Sequence, residues 1–338
     1  MSKATVSNST VSNSTVSTST VSNSTVSNTT VDSNVLEALL RAAFVARGQA
    51  DGPAVRMAAA AIVEAERVGM PEFGLSLALG ALESAQVRWD EPPIADDRGG
   101  AVVLDAEGRF APIVFAQAAL LACARVQEGG VGIVAVTAPG SLGRIAPFAR
   151  AIADAGLLGA IAVGSPPLVA PHGGHTAALG TNPVATAIPS STTPIVVDTS
   201  SSLLTKGRWT QLRARGERVP EGAGLDADGQ PTTDAELVRA FLPRGGAFGT
   251  AMGIVVEMLV NGLTGLLGSS RERRGATVLA MRSLAIDAPL TAVGDDLRER
   301  LHAAGGYVPG STPPDAAGPV SVAVTALARL QRVAGAGG

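Results

Sequence analysis

The chain of 338 residues has little lysine, a single cysteine and few aromatic side chains. Its two lysines, Lys3 and Lys206, and its scattered arginines form no basic patch. We therefore expect no nucleic-acid partner, because such a partner needs clustered cations that neutralise its phosphates. Cys123 stands alone, which excludes an intramolecular disulfide and a thiolate metal cage. It lies in an apolar helical run, and we interpret it as a buried, unreactive thiol.

Histidine is also scarce, and His172, His175 and His302 are not spaced as metal ligands. No uninterrupted apolar run reaches the roughly 20 residues that span a bilayer. No apolar segment near the N-terminus resembles a secretion signal. The sequence therefore predicts a cytoplasmic protein without a metal site or a membrane partner.

Alanine, glycine and other small or apolar residues are abundant instead. Apolar residues make up 46% of the chain and charged residues only 16%, with a formal net charge of −3. This length and composition are typical of a helix-rich α/β protein that is long enough for two domains and an ample core.

The first residues repeat a short polar unit. Residues 4–31 consist of five-residue repeats of Thr, Val, Ser and Asn, with one valine in each unit. So few apolar side chains cannot build a core, and the hydroxyl and amide groups compete with helix formation. We predict a disordered tail over 1–32, with a β-solenoid or an adhesive strand as the alternative.

Helical and strand patterns follow the tail. Asp32-Ser33-Asn34 is a predicted N-cap cluster before an amphipathic helix over 35–44, and two more helices reach about residue 86. Strands and helices then alternate from 101 to 163, which is an α/β pattern. Further strands are predicted over 184–188, 194–198 and 277–286, and further helices over 203–215, 250–263, 290–304 and 320–333.

Three segments carry motifs that point to a family. The most informative is LGTNPVATAIP over 179–189, which follows Ser165-Pro166-Pro167. The second spans 205–234 and includes LDADGQPTTD, and the third spans 241–265 and begins with FLPRGG. In their order and spacing, over about residues 33–310, these segments resemble the malate/L-lactate dehydrogenase family of the second type.

The resemblance implies an α/β fold that is not a Rossmann fold, with a helical N-terminal unit and a mixed, largely antiparallel sheet in the cofactor domain. It implies a helical, substrate-side domain over 33–125 and 290–338, a cofactor-binding-like domain over 126–289, and an intertwined homodimer. NAD(P)H is the implied cofactor. Its expected contacts are the small polar residues Ser165, Thr181, Asn182, Thr199 and Ser200, together with Asp198. For Thr181 and Asn182 the alternative is that they only fix the turn before a strand.

The catalytic positions of the family hold other residues in this chain. The two histidine positions are Phe73 and Ser141, the arginine position is Leu77, and a lysine position is Phe248. Reduction of a 2-oxo acid needs a proton donor, for which histidine is suited, and a cation for the substrate carboxylate. We therefore do not expect ordinary malate or lactate oxidation.

Several side chains are candidates for the missing chemistry, each with a plainer alternative. Asp198 is either a strand-end carboxylate in the pocket or the N-cap of a helix near Leu203. His172, and less so His175, is either a relocated proton donor or a surface-loop residue. Ser141, Lys206 and Glu72 are also candidate pocket residues. The alternative for Ser141 is a loop hydroxyl without a ligand. For Lys206 it is a solvated charge at a helix end, and for Glu72 a carboxylate at a helix start. The predicted catalytic residues are His172, Asp198 and Ser141.

Three functions are compatible with this pattern. The first is an NAD(P)H-dependent reductase of a small imine or carbonyl metabolite, because an iminium carbon accepts hydride without an acid at an alkoxide. The second is a non-redox enzyme, a cyclase, lyase or isomerase, that uses the same scaffold and a more apolar pocket. The third is a catalytically inactive binding or scaffold protein. We expect the first.

Overall fold

The computed structural model describes residues 27–265, 274–284, 289–310 and 318–335. The helices in these ranges are α1 (Ser33–Ala46), α2 (Pro53–Arg67), α3 (Leu75–Glu83), α4 (Ala111–Gly129), α5 (Ala146–Asp154), α6 (Lys206–Ala214), α7 (Ala247–Thr264), α8 (Leu290–Ala303) and α9 (Val324–Val333). The strands are β1 (Asn28–Asp32), β2 (Ile94–Asp97), β3 (Ala101–Asp105), β4 (Val131–Thr137), β5 (Leu158–Val163), β6 (Pro183–Ile188), β7 (Ile195–Ser200), β8 (Gly224–Leu225), β9 (Pro231–Thr232), β10 (Ala240–Phe241), β11 (Gly275–Met281) and β12 (Pro319–Ala323).

A seven-stranded sheet in the order β2-β3-β4-β11-β5-β6-β7 forms the centre of the molecule. The pairing of β3 with β4 is parallel, and every other pairing in this sheet is antiparallel. The predicted α/β fold with a mixed, largely antiparallel sheet is therefore confirmed.

Helices cover both faces of this sheet, as the alternation of buried side chains along β5 shows. Ile161 and Val163 join the core beneath α4 and α5, whereas Ala162 packs with Val256 and Val260 of α7. Because neighbouring residues of a strand point to opposite faces, α7 lies on the face opposite α4 and α5. The sheet is thus the middle layer of three.

The predicted helical N-terminal unit is present as a second core. Helices α1, α2, α3 and α9 bury one face each around a cluster that includes Leu36, Phe44, Ile62, Leu79 and Leu330. The predicted N-cap cluster is confirmed, and Asp32 is its capping residue: Oδ1 accepts the N–H groups of Asn34 at 2.8 Å and Val35 at 3.3 Å.

The structure corrects several predicted boundaries. The disordered tail predicted over 1–32 is wrong at 28–32, which form β1 and pair antiparallel with β12; residues 1–26 lie outside the described ranges. The same pairing corrects the helix predicted over 320–333, whose first residues belong to β12. The late strand predicted over 277–286 ends at Met281, and 285–288 are not described.

Helix α6 begins later than the sequence pattern predicts. The predicted helix over 203–215 starts at Lys206, because Thr205 is its N-cap and accepts the Arg208 N–H through its hydroxyl. The predicted division into domains stays a prediction. Its boundary at 125 falls inside α4, and strands β2 and β3, on the other side of that boundary, are part of the central sheet.

Helix α7 is unusual in its exposure. In the described part of the chain it is the one helix long and apolar enough to cross a membrane by length and composition, and 22% of it is buried. Its buried residues, Gly249, Gly253, Val256 and Val260, form the stripe that packs on the sheet. Apolar side chains also cover much of its outer surface.

Candidate active site

A cavity of about 800 Å³ opens between the helical unit and one edge of the central sheet. Strands β5 and β7 end there and the antiparallel strand β6 begins there, so their termini meet: Pro183 lies opposite Ser200, and Val184 opposite Thr199. The structure gathers most of the predicted site residues in its lining, namely Ser141, Ser165, Thr181, Asp198, Thr199 and Ser200, together with Glu72 and Lys206.

Asp198 lies on β7 and is not a helix cap, so the N-cap interpretation is wrong. Its side chain is 26% exposed, and Oδ2 is 4.0 Å from a guanidinium nitrogen of Arg144. Burial raises the pKa of Asp198, while the Arg144 cation and the Ala146 backbone N–H oppose that shift. The wall of the cavity therefore carries a carboxyl group that keeps its proton to higher pH than an exposed aspartate.

Arg144 belongs to a charge cluster that the sequence pattern did not predict. Glu64 of α2, whose side chain is 10% exposed, accepts from Arg144 at 2.7 Å and from Arg150 of α5 at 2.5 Å. This carboxylate fixes the loop after β4, which carries Ser141 and Arg144, against the helical unit. The available sequence signal was Arg144, three residues after Ser141, where the family pattern predicts a histidine.

The two apolar replacements predicted from the family pattern face this loop. A Cβ at Gly143 would lie 3.1 Å from the carbonyl oxygen of Phe73 and 3.5 Å from Leu77 Cδ2, so the loop passes directly over both residues. Phe73 also packs against Gly207 of α6. Although Leu77 offers no charge, Arg144 supplies a guanidinium from the adjoining loop.

Glu72 is held in the cavity wall by α6. Its Oε2 accepts from Gln211 Nε2 at 2.9 Å. Behind it, Glu66 accepts the Leu75 N–H at 2.6 Å at the start of α3, and burial raises the pKa of Glu66, with Glu72 adding to the shift. Glu72 is thus a pocket residue as well as a helix-start carboxylate.

Asn182 lies behind the cavity wall rather than in it. It is buried with a positive φ of 43°, its Oδ1 accepts the Ser165 N–H at 3.1 Å, and its Nδ2 donates to Gly253 O and Glu257 Oε1, both at 3.0 Å. Thr181 donates its hydroxyl proton to Ser165 Oγ at 3.1 Å and does line the cavity. The geometry therefore supports a turn-fixing role for Asn182 instead of the predicted cofactor contact.

The structure does not bring His172 together with Asp198 and Ser141. His172 is exposed on a loop beside α7, where its backbone N–H donates to Thr250 Oγ1 at 2.8 Å, and it is absent from the cavity lining. His175 lines a second, neighbouring cavity. The sequence places a Gly-Gly turn near the pocket, but that turn points the imidazole of His172 towards Gly246.

Three more cations reach the cavity: Lys206, Arg244 and Arg274. Arg244 donates to the carbonyl oxygens of Ser200 at 3.4 Å and Ser202 at 3.3 Å. Small hydroxyls with several cations suit a phosphorylated ligand such as a nicotinamide dinucleotide. In the described ranges, no group of three or more His, Cys, Asp or Glu side chains could hold a metal ion.

Comparison with known proteins agrees with this architecture. The family model described as malate/L-lactate dehydrogenase matches residues 31–332. A Δ1-pyrroline-2-carboxylate/Δ1-piperideine-2-carboxylate reductase of Pseudomonas putida is 35% identical over 239 residues, which cover 68% of this chain and 70% of that protein. A (2R)-3-sulfolactate dehydrogenase (NADP+) of Chromohalobacter salexigens is 32% identical over 234 residues, covering 68% and 69%.

Solved structures give the same result. The crystal structure of the Δ1-piperideine-2-carboxylate reductase of Pseudomonas syringae superposes with a TM-score of 0.76 and 27% identity, covering 90% of this chain and 99% of that one. A dehydrogenase of Sinorhizobium meliloti gives a TM-score of 0.70 and 26% identity, covering 91% and 99%. The resemblance seen in the motifs is thus confirmed, and the chain belongs to the malate/L-lactate dehydrogenase family.

Proposed function

We propose that this protein is an NAD(P)H-dependent reductase of a small cyclic imine or carbonyl compound that carries a carboxylate. The observation that supports it most is the position of Asp198: a carboxyl group with a raised pKa, beside Arg144, in a cavity of the size of a metabolite site. The names of the relatives, which include reductases of cyclic imine carboxylates, point the same way.

A bound reduced nicotinamide would supply the hydride. Asp198 is the proposed proton donor: its protonated form would give a proton to the imine nitrogen before hydride addition, or to the nascent alkoxide of a carbonyl substrate during it. The C=N or C=O double bond becomes a single bond, and a C–H bond and an N–H or O–H bond form. The carboxylate left on Asp198 regains a proton from water, since its side chain is partly exposed.

Arg144 is the proposed partner of the substrate carboxylate. A guanidinium offers five N–H donors; Glu64 engages one nitrogen of Arg144, and another lies 4.0 Å from Asp198 in the cavity lining. A substrate anion beside Arg144 would also favour the protonated form of Asp198 through like-charge repulsion. Phe73 and Leu77 would contact the methylene groups of a ring rather than a second charge.

The first experiment is a comparison of substrates with the purified protein. Oxidation of NADPH and of NADH is followed with cyclic imine 2-carboxylates and with 2-oxo acids. We expect turnover with the imines and much slower turnover with the 2-oxo acids, since no histidine of the described residues lines the cavity. Absence of cofactor binding at millimolar concentration would rule out this proposal and favour a non-redox or inactive protein.

The second experiment tests the proton donor. Asp198→Asn keeps the side-chain volume and removes the acid, so we expect kcat to fall by about 10² to 10⁴. Thr199→Ala, at the next position of the same cavity wall, should change kcat far less, because its hydroxyl is not an acid at neutral pH. Equal activity of Asp198→Asn and the unmodified protein would contradict the proposed role.

We also propose that the protein is a homodimer that covers the outer face of α7. Six of its large apolar side chains are exposed in the single chain: Phe248, Ile254, Val255, Met258, Leu259 and Leu263. Such a continuous apolar surface is rare on a monomer and is typical of an interface. The intertwined dimer implied by the family resemblance would bury it.

A further inference from the structure

Four charged side chains of alternating sign, Arg150, Glu64, Arg144 and Asp198, form a row that ends at the cavity wall. Arg144 and Asp198 line the cavity, whereas Glu64 of α2 and Arg150 of α5 lie behind them and do not. Glu64 is buried and the other three are partly buried. Salt therefore screens the interactions within this charge row less than it screens surface pairs.

Glu64 binds one arginine with each of its oxygens. Oε1 accepts from Arg144 Nη1 at 2.7 Å, and Oε2 accepts from Arg150 Nη1 at 2.5 Å. The other terminal nitrogen of Arg144, Nη2, is 4.0 Å from Asp198 Oδ2. A direct bond between a guanidinium and a carboxylate is about 2.7–2.9 Å long. Arg144 is thus bonded to Glu64 and only near Asp198.

Asp198 is a competing partner for Arg144. If the guanidinium moved about 1 Å closer, the two side chains would form a direct ion pair. That pair would neutralise the cation that the substrate carboxylate needs, and it would favour the ionised form of the acid that should donate a proton. Because Arg150 shares Glu64, the three inner groups of the charge row keep a net positive charge.

We propose that Glu64 is a positioning residue that holds Arg144 apart from Asp198, so that the cation stays available to the substrate carboxylate and the acid keeps its proton. Glu64 acts through Arg144 and does not itself touch the substrate. The inference rests on the proposed function, which gives Arg144 and Asp198 their roles.

The charge row also sets the direction of a pH effect. Burial raises the pKa of Asp198 and Glu64 adds to the rise, while Arg144, the Ala146 N–H and Arg150 oppose it. The other charged groups in the lining of this cavity are Glu72, Lys206, Arg244 and Arg274. Glu64→Gln removes an anion and frees Arg144 to approach, and both changes lower the pKa of Asp198. The fall of kcat with rising pH should therefore occur at lower pH in this variant.

The main test measures binding of pyridine-2-carboxylate to the full chain by calorimetry, with pyridine for comparison. Pyridine-2-carboxylate is a flat analogue of a cyclic imine carboxylate and binds without turnover, and pyridine lacks the anion. We expect Glu64→Gln to weaken pyridine-2-carboxylate by about tenfold and to leave pyridine unchanged. If Glu64 acted only through its charge, removing an anion would instead tighten binding of the carboxylate.

Two further variants keep the test independent of a general loss of structure. Glu64→Asp keeps the charge but withdraws the carboxylate by one methylene group, so it should also weaken pyridine-2-carboxylate. In Glu64→Gln/Asp198→Asn the competing carboxylate is gone, and binding should return to that of Asp198→Asn alone. A merely structural role for Glu64 would leave the double variant weak.

Glu83→Gln is the matched control. Glu83 also pairs with an arginine, Arg329, but this pair is exposed and lines neither cavity. The change removes the same charge from the chain, and it should alter neither the affinity for pyridine-2-carboxylate nor the pH profile of kcat.

The outcomes separate this inference from the function on which it rests. If Glu64→Gln and Glu64→Asp bind pyridine-2-carboxylate as tightly as the unmodified protein, or if the double variant stays weak, the positioning role is overturned and the reductase proposal stands. If the unmodified protein binds pyridine-2-carboxylate no more tightly than pyridine, the positioning role is overturned as well. If binding follows the expected pattern but the protein oxidises no NADPH or NADH, the positioning role stands and the reductase proposal falls.

Discussion

At the scale of single residues, the site is defined by neighbours that are distant in sequence. The sequence identifies Asp198 as a strand-end carboxylate, but its pKa is set by burial, which raises it, by Arg144 on a loop, which opposes the rise, and by Glu64 on α2, which adds to it. No periodicity relates these three positions. The same holds for Arg274, which belongs to no motif and enters the site only because β11 is inserted between β4 and β5.

The raised pKa of Asp198 has a consequence for stability. A group whose pKa is higher in the folded than in the unfolded protein stabilises the fold below its ordinary value of 3.8, and this contribution is lost as pH rises through the folded value. We therefore expect the unmodified protein to lose stability relative to Asp198→Asn as pH rises above about 4. Urea midpoints of both proteins across this range would measure it. Parallel curves would show that burial does not perturb Asp198.

The carboxylate of Glu64 should matter more than surface ion pairs. Removing it in Glu64→Gln deprives two poorly solvated guanidinium groups, Arg144 and Arg150, of their shared and nearest carboxylate, and we expect a loss of about 3 kcal/mol in the free energy of unfolding. Glu83→Gln is the control, because its pair with Arg329 is exposed and should contribute less than about 1 kcal/mol. Denaturant unfolding measures both losses. Similar losses in the two variants would contradict the expectation that the buried carboxylate contributes more stability than the exposed one.

At the scale of elements, local sequence patterns predict the helices and strands of the α/β alternation. They do not predict which strands pair when the strands are far apart in sequence. Strands β4 to β7 are short apolar runs between turn signals, and the sequence located each of them within one or two residues. The sequence pattern predicts the start of a helix where β12 lies, since only the pairing with β1, almost 300 residues away, makes this segment a strand. Sequence patterns also gave no sign of how closely α4 approaches the sheet.

The approach of α4 to the sheet depends on Gly132. A Cβ at this position of β4 would lie 2.0 Å from the carbonyl oxygen of Ala122 in α4, and backbone cannot easily move away. We expect Gly132→Ala to cost about 3 kcal/mol or more through overpacking. Gly80→Ala on the exposed face of α3, where a Cβ meets nothing within 4 Å, should instead stabilise by about 0.5–1 kcal/mol. Thermal unfolding of the two variants would reveal shifts of opposite sign, and a stable Gly132→Ala protein would exclude the close packing.

At the scale of the whole molecule, the residues that shape the fold differ from the residues proposed to react. The family motifs coincide with residues that shape the fold: Asn182 fixes the turn before β6, and its amide binds α7 through Gly253 and Glu257. A sequence that keeps these residues predicts the architecture well. The proposed reacting groups line the cavity instead, as do Phe73, Leu77 and Ser141, so the architecture alone does not predict the substrate.

The oligomeric state of the protein can depend on a single exposed helix, α7. Met258 is 70% exposed near the middle of the outer face of α7, between the exposed side chains of Val255 and Leu259. If this face is the centre of a dimer interface, Met258→Asp buries an unpaired carboxylate there, and we expect the dimer to dissociate in sedimentation velocity. Leu237→Asp provides the control, because Leu237 is half exposed in a turn away from α7 and its change should leave the mass intact. A dimer that survives Met258→Asp would assign the interface to another surface, whereas a monomeric unmodified protein would leave this apolar face to a different partner.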